Sequence, residues 1–256
     1  MSFFTTGMNF KKAIICDLDG TLALSKSPLS TEMAEVLCGI LRNHYLVVIS
    51  GGSYTQFDKQ FLSHLNCPEE LLKNLYLFPT MGGTCYVYDS ESNAWKQLYE
   101  EILTIEERDL IKNAISDSLR ESNMDFSEIY GELVDDRVTQ VTLSCKGQEA
   151  PLLVKQSWDT DQSKRKILVE ILKGKIPQFE IRIGGTTSID ITKKGIDKAF
   201  AIQKFKELSN LSDEDIIFVG DALFTGGNDA PVKTTGVDYI QESGPSETIA
   251  FLRQYL

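Results

Sequence analysis

Two aspartates one residue apart, Asp17 and Asp19, follow the apolar run Ala13-Ile14-Ile15 in the stretch Cys16-Asp17-Leu18-Asp19-Gly20-Thr21. An apolar run closed by Asp and Gly reads as a buried strand ending in a tight turn. In a parallel sheet, ligands bind at the carboxyl ends of the strands. Two carboxylates there repel each other and lose hydration, and a cation between them removes both penalties. The pattern points to a Mg²⁺ site with one carboxylate free to attack. Three other stretches fit the same edge. Ser50-Gly51-Gly52-Ser53 follows the apolar run Tyr45–Ile49, Lys198 lies at a helix start, and Gly220-Asp221 closes the run 215–219, with Asn228-Asp229 a few residues on.

The chemistry of such a cluster can be written down. A phosphate ester is a dianion and an Asp nucleophile is also negative, so their approach needs a cation. Mg²⁺ prefers oxygen ligands in near-octahedral geometry and keeps some waters. Asp17, the Asp19 backbone carbonyl and Asp221 are the expected ligands, with Asn228 and Asp229 orienting the waters. Ser50 and the amides of Gly51 and Gly52 grip phosphate oxygens, Thr21 joins them, and Lys198 neutralises a further charge. Attack by Asp17 gives an aspartyl-phosphate. Asp19 protonates the leaving oxygen and then activates the acceptor. The bland alternatives are turn capping for the aspartates and a plain helix N-cap for Asn228-Asp229. Four stretches falling on one sheet edge favour the chemical reading.

The elements that must hold these residues follow from periodicity. Ala13–Leu18 reads as a strand, Ser30 to about Asn43 as a helix, Tyr45–Ile49 as a strand, and Phe57–Leu65 as a helical stripe ended by Pro68. Strand and helix in alternation mark a parallel α/β sheet. The rhythm changes near residue 82. Cys85–Asp89 alternates, Thr104-x-x-Glu107 is a capping box before a helix to about Arg120, and Phe126–Tyr130 and Val138–Cys145 look like strands. Asp161–Leu172 reads as a charged helix and Gln178–Ile183 as a strand with one polar face. This block resembles an antiparallel sheet with helices on one side. Parallel character returns with helix Lys198–Leu208, strands at 215–219 and 237–240, and a last helix started by Pro245. The expected organisation is a discontinuous core of residues 1–82 and 186–256 around an insert of 83–185. Gly82-Gly83 and Gly184-Gly185 stand at the expected crossings as hinge candidates.

Bulk composition narrows the class. The 256 residues are 42% hydrophobic and 25% charged, which is ordinary globular composition. No apolar run approaches the ~20 residues of a membrane span, and Met1–Gly7 lacks a signal-peptide core, so a cytoplasmic location without membrane partners is expected. The net charge of −11 argues against general nucleic-acid binding. The five cysteines form no Cys-x-x-Cys pair and are expected as reduced thiols. The two histidines make a multi-His metal site improbable.

Together the motifs resemble the haloacid dehalogenase (HAD) superfamily, whose four motifs are met in order by Asp17-x-Asp19-Gly-Thr21, Ser50, Lys198 and Gly220-Asp221 with Asn228-Asp229. The resemblance implies a Rossmann-like α/β core and an inserted α+β cap of type IIB. It also favours Lys198 over Lys194 as the functional lysine. A narrower resemblance is to eukaryotic-type phosphomannomutases. It rests on Gly220-Asp221 followed by Gly226-Gly227-Asn228-Asp229, on Ile183-Gly184-Gly185-x-x-Ser188-x-Asp190, and on Gly51-Gly52-Ser53 with Phe57. It implies that Arg137, Ser188 and Asp190 contact a phosphorylated sugar. The family's asparagine in the Arg137 stretch is here Thr142, its next cap arginine falls at Gln148, and a further one near Lys155.

Those departures shape the expected function. A mutase must hold a sugar bisphosphate in two orientations, and bidentate arginines suit that task. With Gln148 uncharged, the leading expectation is a Mg²⁺-dependent sugar phosphatase working through an aspartyl-phosphate, with Lys155 or Lys164 as candidate replacements for the arginine. The alternative is a phosphomannomutase, a hexose 1-phosphate/6-phosphate isomerase using a 1,6-bisphosphate. The third is a non-catalytic phosphosugar-binding protein. The oligomeric state is left open, a homodimer among the options.

Overall fold

The computed structural model describes residues 10–256, and the expectation about Met1–Gly7 lies outside them. Strand β1 (Ala13–Asp17) is buried along its whole length. Ile14 and Cys16 enter one apolar layer and Ala13 and Ile15 the other, the two-sided burial of a central parallel strand. Ser30 caps α1 (Thr31–Ile40), its hydroxyl accepting from the Met33 amide. Strand β2 (Tyr45–Ile49) pairs parallel with β1.

The helix expected over 57–65 is built in three pieces. They are α2 (Tyr54–Phe57), a π turn over Asp58–Leu62, and α3 (Ser63–Leu65). Wide turns of this kind concentrate at functional sites. Helix α4 (Glu69–Leu72) leads into β3 (Leu75–Phe78), a short parallel strand beside β2 that the apolar pattern did not single out.

The alternating segment near 85 is β4 (Thr84–Asp89), and a further strand, β5 (Ala94–Glu100), returns against it. Both extend the first sheet. Its order is β11-β10-β1-β2-β3-β4-β5, with β10 (Ile216–Gly220) and β11 (Asp238–Gln241) on the other side of β1. The expected border at 82/83 therefore falls inside this sheet. An antiparallel hairpin added to a parallel sheet alternates just as a separate sheet would, so periodicity alone could not place it.

A second sheet of four antiparallel strands has the order β6-β7-β9-β8. It comprises β6 (Val134–Asp136), β7 (Gln140–Ser144), β8 (Phe179–Gly184) and β9 (Ser188–Lys193). Its helices are α5 (Ile105–Glu121), opened by the Thr104–Glu107 capping box as expected, α6 (Leu152–Trp158) and α7 (Ser163–Lys175). The expected strand at 126–130 is irregular chain. Because β9 pairs with β7 and β8, the return to the first sheet comes after Lys193, not at 185/186. Gly184-Gly185 therefore begins the turn between β8 and β9, and Gly82-Gly83 precedes β4. Neither glycine pair lies at a crossing.

After the second sheet, α8 (Lys198–Ser209) covers one face of the first sheet, while α1 and α9 (Pro245–Leu252) cover the other. No helix among the described residues is long and apolar enough to cross a membrane. The expectation of five reduced cysteines is corrected at one pair. Cys38 on α1 and Cys67 after α3 form a disulfide with Cα atoms 5.5 Å apart, a pairing made by the packing of α3 on α1. Cys16, Cys85 and Cys145 are free and buried.

Candidate active site

The four stretches converge. Asp17 ends β1, Ser50 follows β2, Lys198 opens α8, and Asp221 follows β10. Register pairs Asp17 with Ile49 and Cys16 with Val219, so these carboxyl ends lie side by side. Gly20, with φ +94°, turns the chain where a Cβ would stand 2.7 Å from the Asp221 carboxylate. Only glycine accepts both the dihedral and the approach.

Lys198 is fully buried and sits between two carboxylates. Its Nζ is 2.6 Å from Asp17 Oδ1 and also donates to Asp229 Oδ1. The Ala222 amide donates to the other Asp229 oxygen at 2.9 Å. Burial pushes Asp17 well above the ordinary carboxylate range. Lys198 opposes this, and the charges of Asp229 and Asp221 add to it. Asp221 is raised in the same way by burial and then by Asp229. Burial works against the Lys198 charge, but Asp17 and Asp229 outweigh it and hold the ammonium above its usual value.

Oxygens of Asp17, Asp221 and Asp229 lie within 4.8 Å of one another. Three carboxyl groups around one ammonium, two of them raised by burial and by one another, offer an all-oxygen donor set that suits a hard divalent cation. The residues present thus fit Mg²⁺. Asp229 belongs to this trio, although the sequence placed it behind Asp221 beside Asn228. Asn228 lines the cleft. Thr21 Oγ1 donates to Asp221 Oδ1 at 3.4 Å.

The Asp19 side chain stands apart from the trio. Its Oδ1 accepts from the Lys26 amide at 2.7 Å and from Gln60 Nε2 at 2.9 Å, and its Oδ2 from Gln56 Nε2 at 3.4 Å. Gln56 and Gln60, from α2 and the π turn, thus hold a carboxylate far away in sequence. Motif reading missed both, because glutamines in a helical stripe carry no signal. Ser50 is buried and accepts from the Gly52 amide at 3.1 Å.

The second sheet closes the cleft. Its apolar side packs on α5 and α7 through Val141, Leu143, Ile181, Ile189 and Ile191. The alternate residues Gln140, Thr142, Ser144, Ser188 and Asp190 form the polar side. Thr142, Ser188 and Asp190 line the cleft together with Asp17, Asp19, Ser50, Gly51 and Gly52. Burial raises the Asp190 carboxyl, opposed by Arg137 and by the bond from Thr142. Arg137 is ion-paired with Asp135 at 2.8 Å and donates to the Gly51 carbonyl.

Three cations stand in this cleft: Arg137, Lys155 and Lys26. Lys26 was not among the expected residues, and its place in the loop after Asp19 was the available signal. Its Nζ donates to Gln148 Oε1 at 2.7 Å, and Lys155 Nζ donates to the Gln148 carbonyl at 3.1 Å. Burial, then the nearby Lys155 and Arg137, push Lys26 down to about 8. Lys164, the other suggested replacement, is exposed, binds the Trp158 carbonyl at 2.7 Å and lies over the Trp158 ring. The structure keeps it out of the cleft.

Comparison with known proteins agrees with this geometry. The profile of the eukaryotic phosphomannomutase family matches residues 33–255. A phosphomannomutase of Schizosaccharomyces pombe is 26% identical over 260 residues, covering 95% of this chain and 94% of its own length. One of Galdieria sulphuraria is 30% identical over 225 residues, covering 83% and 81%. Among solved structures, an IMP-bound, N-terminally truncated IMP-nucleotidase of Plasmodium falciparum superposes with a TM-score of 0.74 at 16% identity. That match covers 97% of this chain and 68% of the other. A haloacid dehalogenase-like hydrolase of Bacteroides thetaiotaomicron superposes at 0.61 and 17% identity, covering 96% and 100%. These likenesses show the fold, and with the family match they establish that the chain is an enzyme with the HAD fold and belongs to the eukaryotic phosphomannomutase family.

Proposed function

We propose that this enzyme is a hexose phosphomutase, interconverting the 1- and 6-phosphates of a sugar such as mannose. The observation that carries the reading is the pairing of two charge centres in one cleft. Asp17 and Lys198 form a phosphoryl-transfer centre on the first sheet, and Lys26, Lys155 and Arg137 form a cationic group facing it. A bisphosphate has a use for both. The argument for a phosphatase rested on the uncharged Gln148, and the two lysines bonded to that residue restore positive charge at the same place. The named relatives are phosphomannomutases, which supports the same choice.

In this reading Asp17 attacks the phosphorus and forms an aspartyl-phosphate, while Asp19 gives a proton to the departing sugar oxygen. Gln56 and Gln60 keep Asp19 in place for that transfer. Lys198 opposes the effect of burial on Asp17 and favours its ionised, attacking form. Asp17, Asp221 and Asp229 would hold Mg²⁺, which when bound supplies the positive charge that lets two anions meet. The phosphoenzyme passes its phosphoryl group to the free hydroxyl of a bound sugar monophosphate. The bisphosphate so formed turns over, the cationic group takes the new phosphate, and Asp17 attacks the original one, releasing the isomeric monophosphate. Asp190 and Ser188 orient the ring.

A second reading, hydrolysis by water at the aspartyl-phosphate, is favoured by Gln148 itself. Lysines hold phosphate as point charges, without the fork of an arginine, and a sugar monophosphate that leaves before accepting the phosphoryl group abandons the aspartyl-phosphate to water. A phosphorus NMR time course with Mg²⁺ and mannose 1-phosphate, with and without mannose 1,6-bisphosphate, tests the two. A 6-phosphate signal that depends on the bisphosphate supports the mutase. Inorganic phosphate alone supports the hydrolase.

A further inference from the structure

Gln140 is fully buried on the polar side of β7, and the roles proposed above do not use it. Its Nε2 lies 2.8 Å from the Gly51 carbonyl, 2.8 Å from Thr142 Oγ1 and 3.0 Å from Asp190 Oδ1. Three oxygens around one atom assign it as the amide nitrogen, because the flipped carboxamide would set oxygen against oxygen. The price is paid at the other end, where Oε1 is buried without a partner. An apolar side chain of this size would avoid that loss, so the gain must lie with the nitrogen.

That nitrogen joins two sheets. Gly51 belongs to the loop after β2 and lines the cleft. Asp190 belongs to β9. Arg137 also donates to the Gly51 carbonyl, and a Cβ at Gly51 would stand 2.5 Å from Asp190 Oδ2. The loop and the strand can meet this closely only because residue 51 has no side chain. Asp190 Oδ1 takes a second bond from Thr142 Oγ1 at 2.8 Å, which leaves Oδ2 as the oxygen free for a ligand.

We propose that Gln140 is a positioning residue that couples closure of the second sheet over the phosphate loop to the orientation of Asp190. With the sheets together, one amide proton satisfies Gly51 and the other turns Asp190 Oδ2 toward the sugar. With the sheets apart, the Gly51 bond is lost and Asp190 keeps only Thr142. The proposal rests on the phosphosugar reading above, because it assigns Asp190 a hydroxyl to recognise.

Two isosteric substitutions test it. Gln140→Met removes the donor and also the orphaned oxygen. Gln140→Glu keeps the shape and sets an anion against Asp190 and the Gly51 carbonyl. With mannose 1-phosphate, KM is expected to rise about tenfold in the Met variant and further in the Glu variant, with kcat within about threefold of wild type. A purely structural role would leave KM alone and follow melting temperature instead. A KM within about twofold of wild type in the Met variant would overturn the proposal. Small-angle scattering of the free enzymes reads closure without substrate, and a larger radius of gyration is expected for both variants. Should the wild type turn over no phosphohexose, the phosphosugar reading falls, and scattering alone decides the coupling. Unchanged profiles would then overturn it.

Discussion

The two sheets of this enzyme bury their residues by different rules. In the first, the central strands are apolar on both faces. Ala13 and Ile15 pack toward α8, and Ile14 and Cys16 toward α1 and α9. Chemistry is confined to the strand ends, where the chain leaves the sheet and backbone amides and carboxylates come free. In the second, one face is apolar and packed on helices, while the other carries Gln140, Thr142, Ser144, Ser188 and Asp190 toward the cleft. There the strand bodies themselves hold the polar groups. An edge of strand ends suits a compact phosphoryl centre. A flat polar face suits a ligand with hydroxyls spread over several ångströms. On the proposed function, bond breaking belongs to the first sheet and recognition to the second, and experiments can break that division at several points.

The largest effect is expected at the first sheet. Asp17→Asn should lower turnover by about 10⁴-fold or more, because in the proposed mechanism Asp17 is the group that forms the acyl phosphate. Phosphorus NMR follows the loss, and an unchanged melting curve shows that the fold survives. Surviving turnover would remove Asp17 as the nucleophile.

Next come two neighbours on opposite faces of β9. Ile191 packs in the apolar layer of the second sheet, and Ile191→Ala should cost about 2–5 kcal/mol of stability in denaturant titration with little change in KM. Asp190→Asn removes a buried carboxyl group that lines the cleft. It should raise KM severalfold with the melting temperature nearly unmoved. Similar profiles for the two variants would show that the faces are not divided as described.

The cationic group sharpens the comparison. Truncating both Lys26 and Lys155 to alanine removes two charge-assisted contacts, worth about 1.5–3 kcal/mol each. A rise in KM of about a hundredfold to ten-thousandfold is expected from steady-state kinetics, with a smaller loss in kcat. If the bisphosphate is what these lysines hold, its activation constant should rise in parallel.

The smallest effect is in pH. A lysine is charged below its pKa, and Lys26 is held down to about 8 by burial and by Lys155 and Arg137. Affinity for a phosphorylated sugar should therefore be full below pH 8 and fall as pH rises through that value. Lys26→Arg stays charged and should flatten this limb of the kcat/KM profile. An identical limb in wild type and variant would assign it to another group.

Much of the phosphoryl centre was legible in the residues, because its motifs sit on strands that are themselves easy to read. Asp17, Asp19, Ser50, Lys198 and Asp221 each follow a long apolar run or open a helix, and strand ends of one parallel sheet share one edge. The second sheet was harder. Alternation alone does not say which sheet a strand joins, so the segments of β4 and β5 were expected in the insert and that of β9 in the core. Gln56, Gln60 and Lys26 carry no spacing signal. They belong to the site through a π turn and a loop that bring them onto Asp19 and Gln148.

By itself, the sequence determined the fold class, the order of the motifs and the residue types that could do phosphoryl chemistry. These depend on local periodicity and on which side chains can bear charge at a strand end, and both are properties of neighbours along the chain. Only the tertiary structure decided that Asp229 joins Asp17 and Asp221, that Lys26 and Lys155 flank Gln148, and that Cys38 meets Cys67. It also decided that Gln140 spans the two sheets. Each of these is a meeting of distant segments, set by how whole layers pack, and no local pattern encodes the distance between two layers.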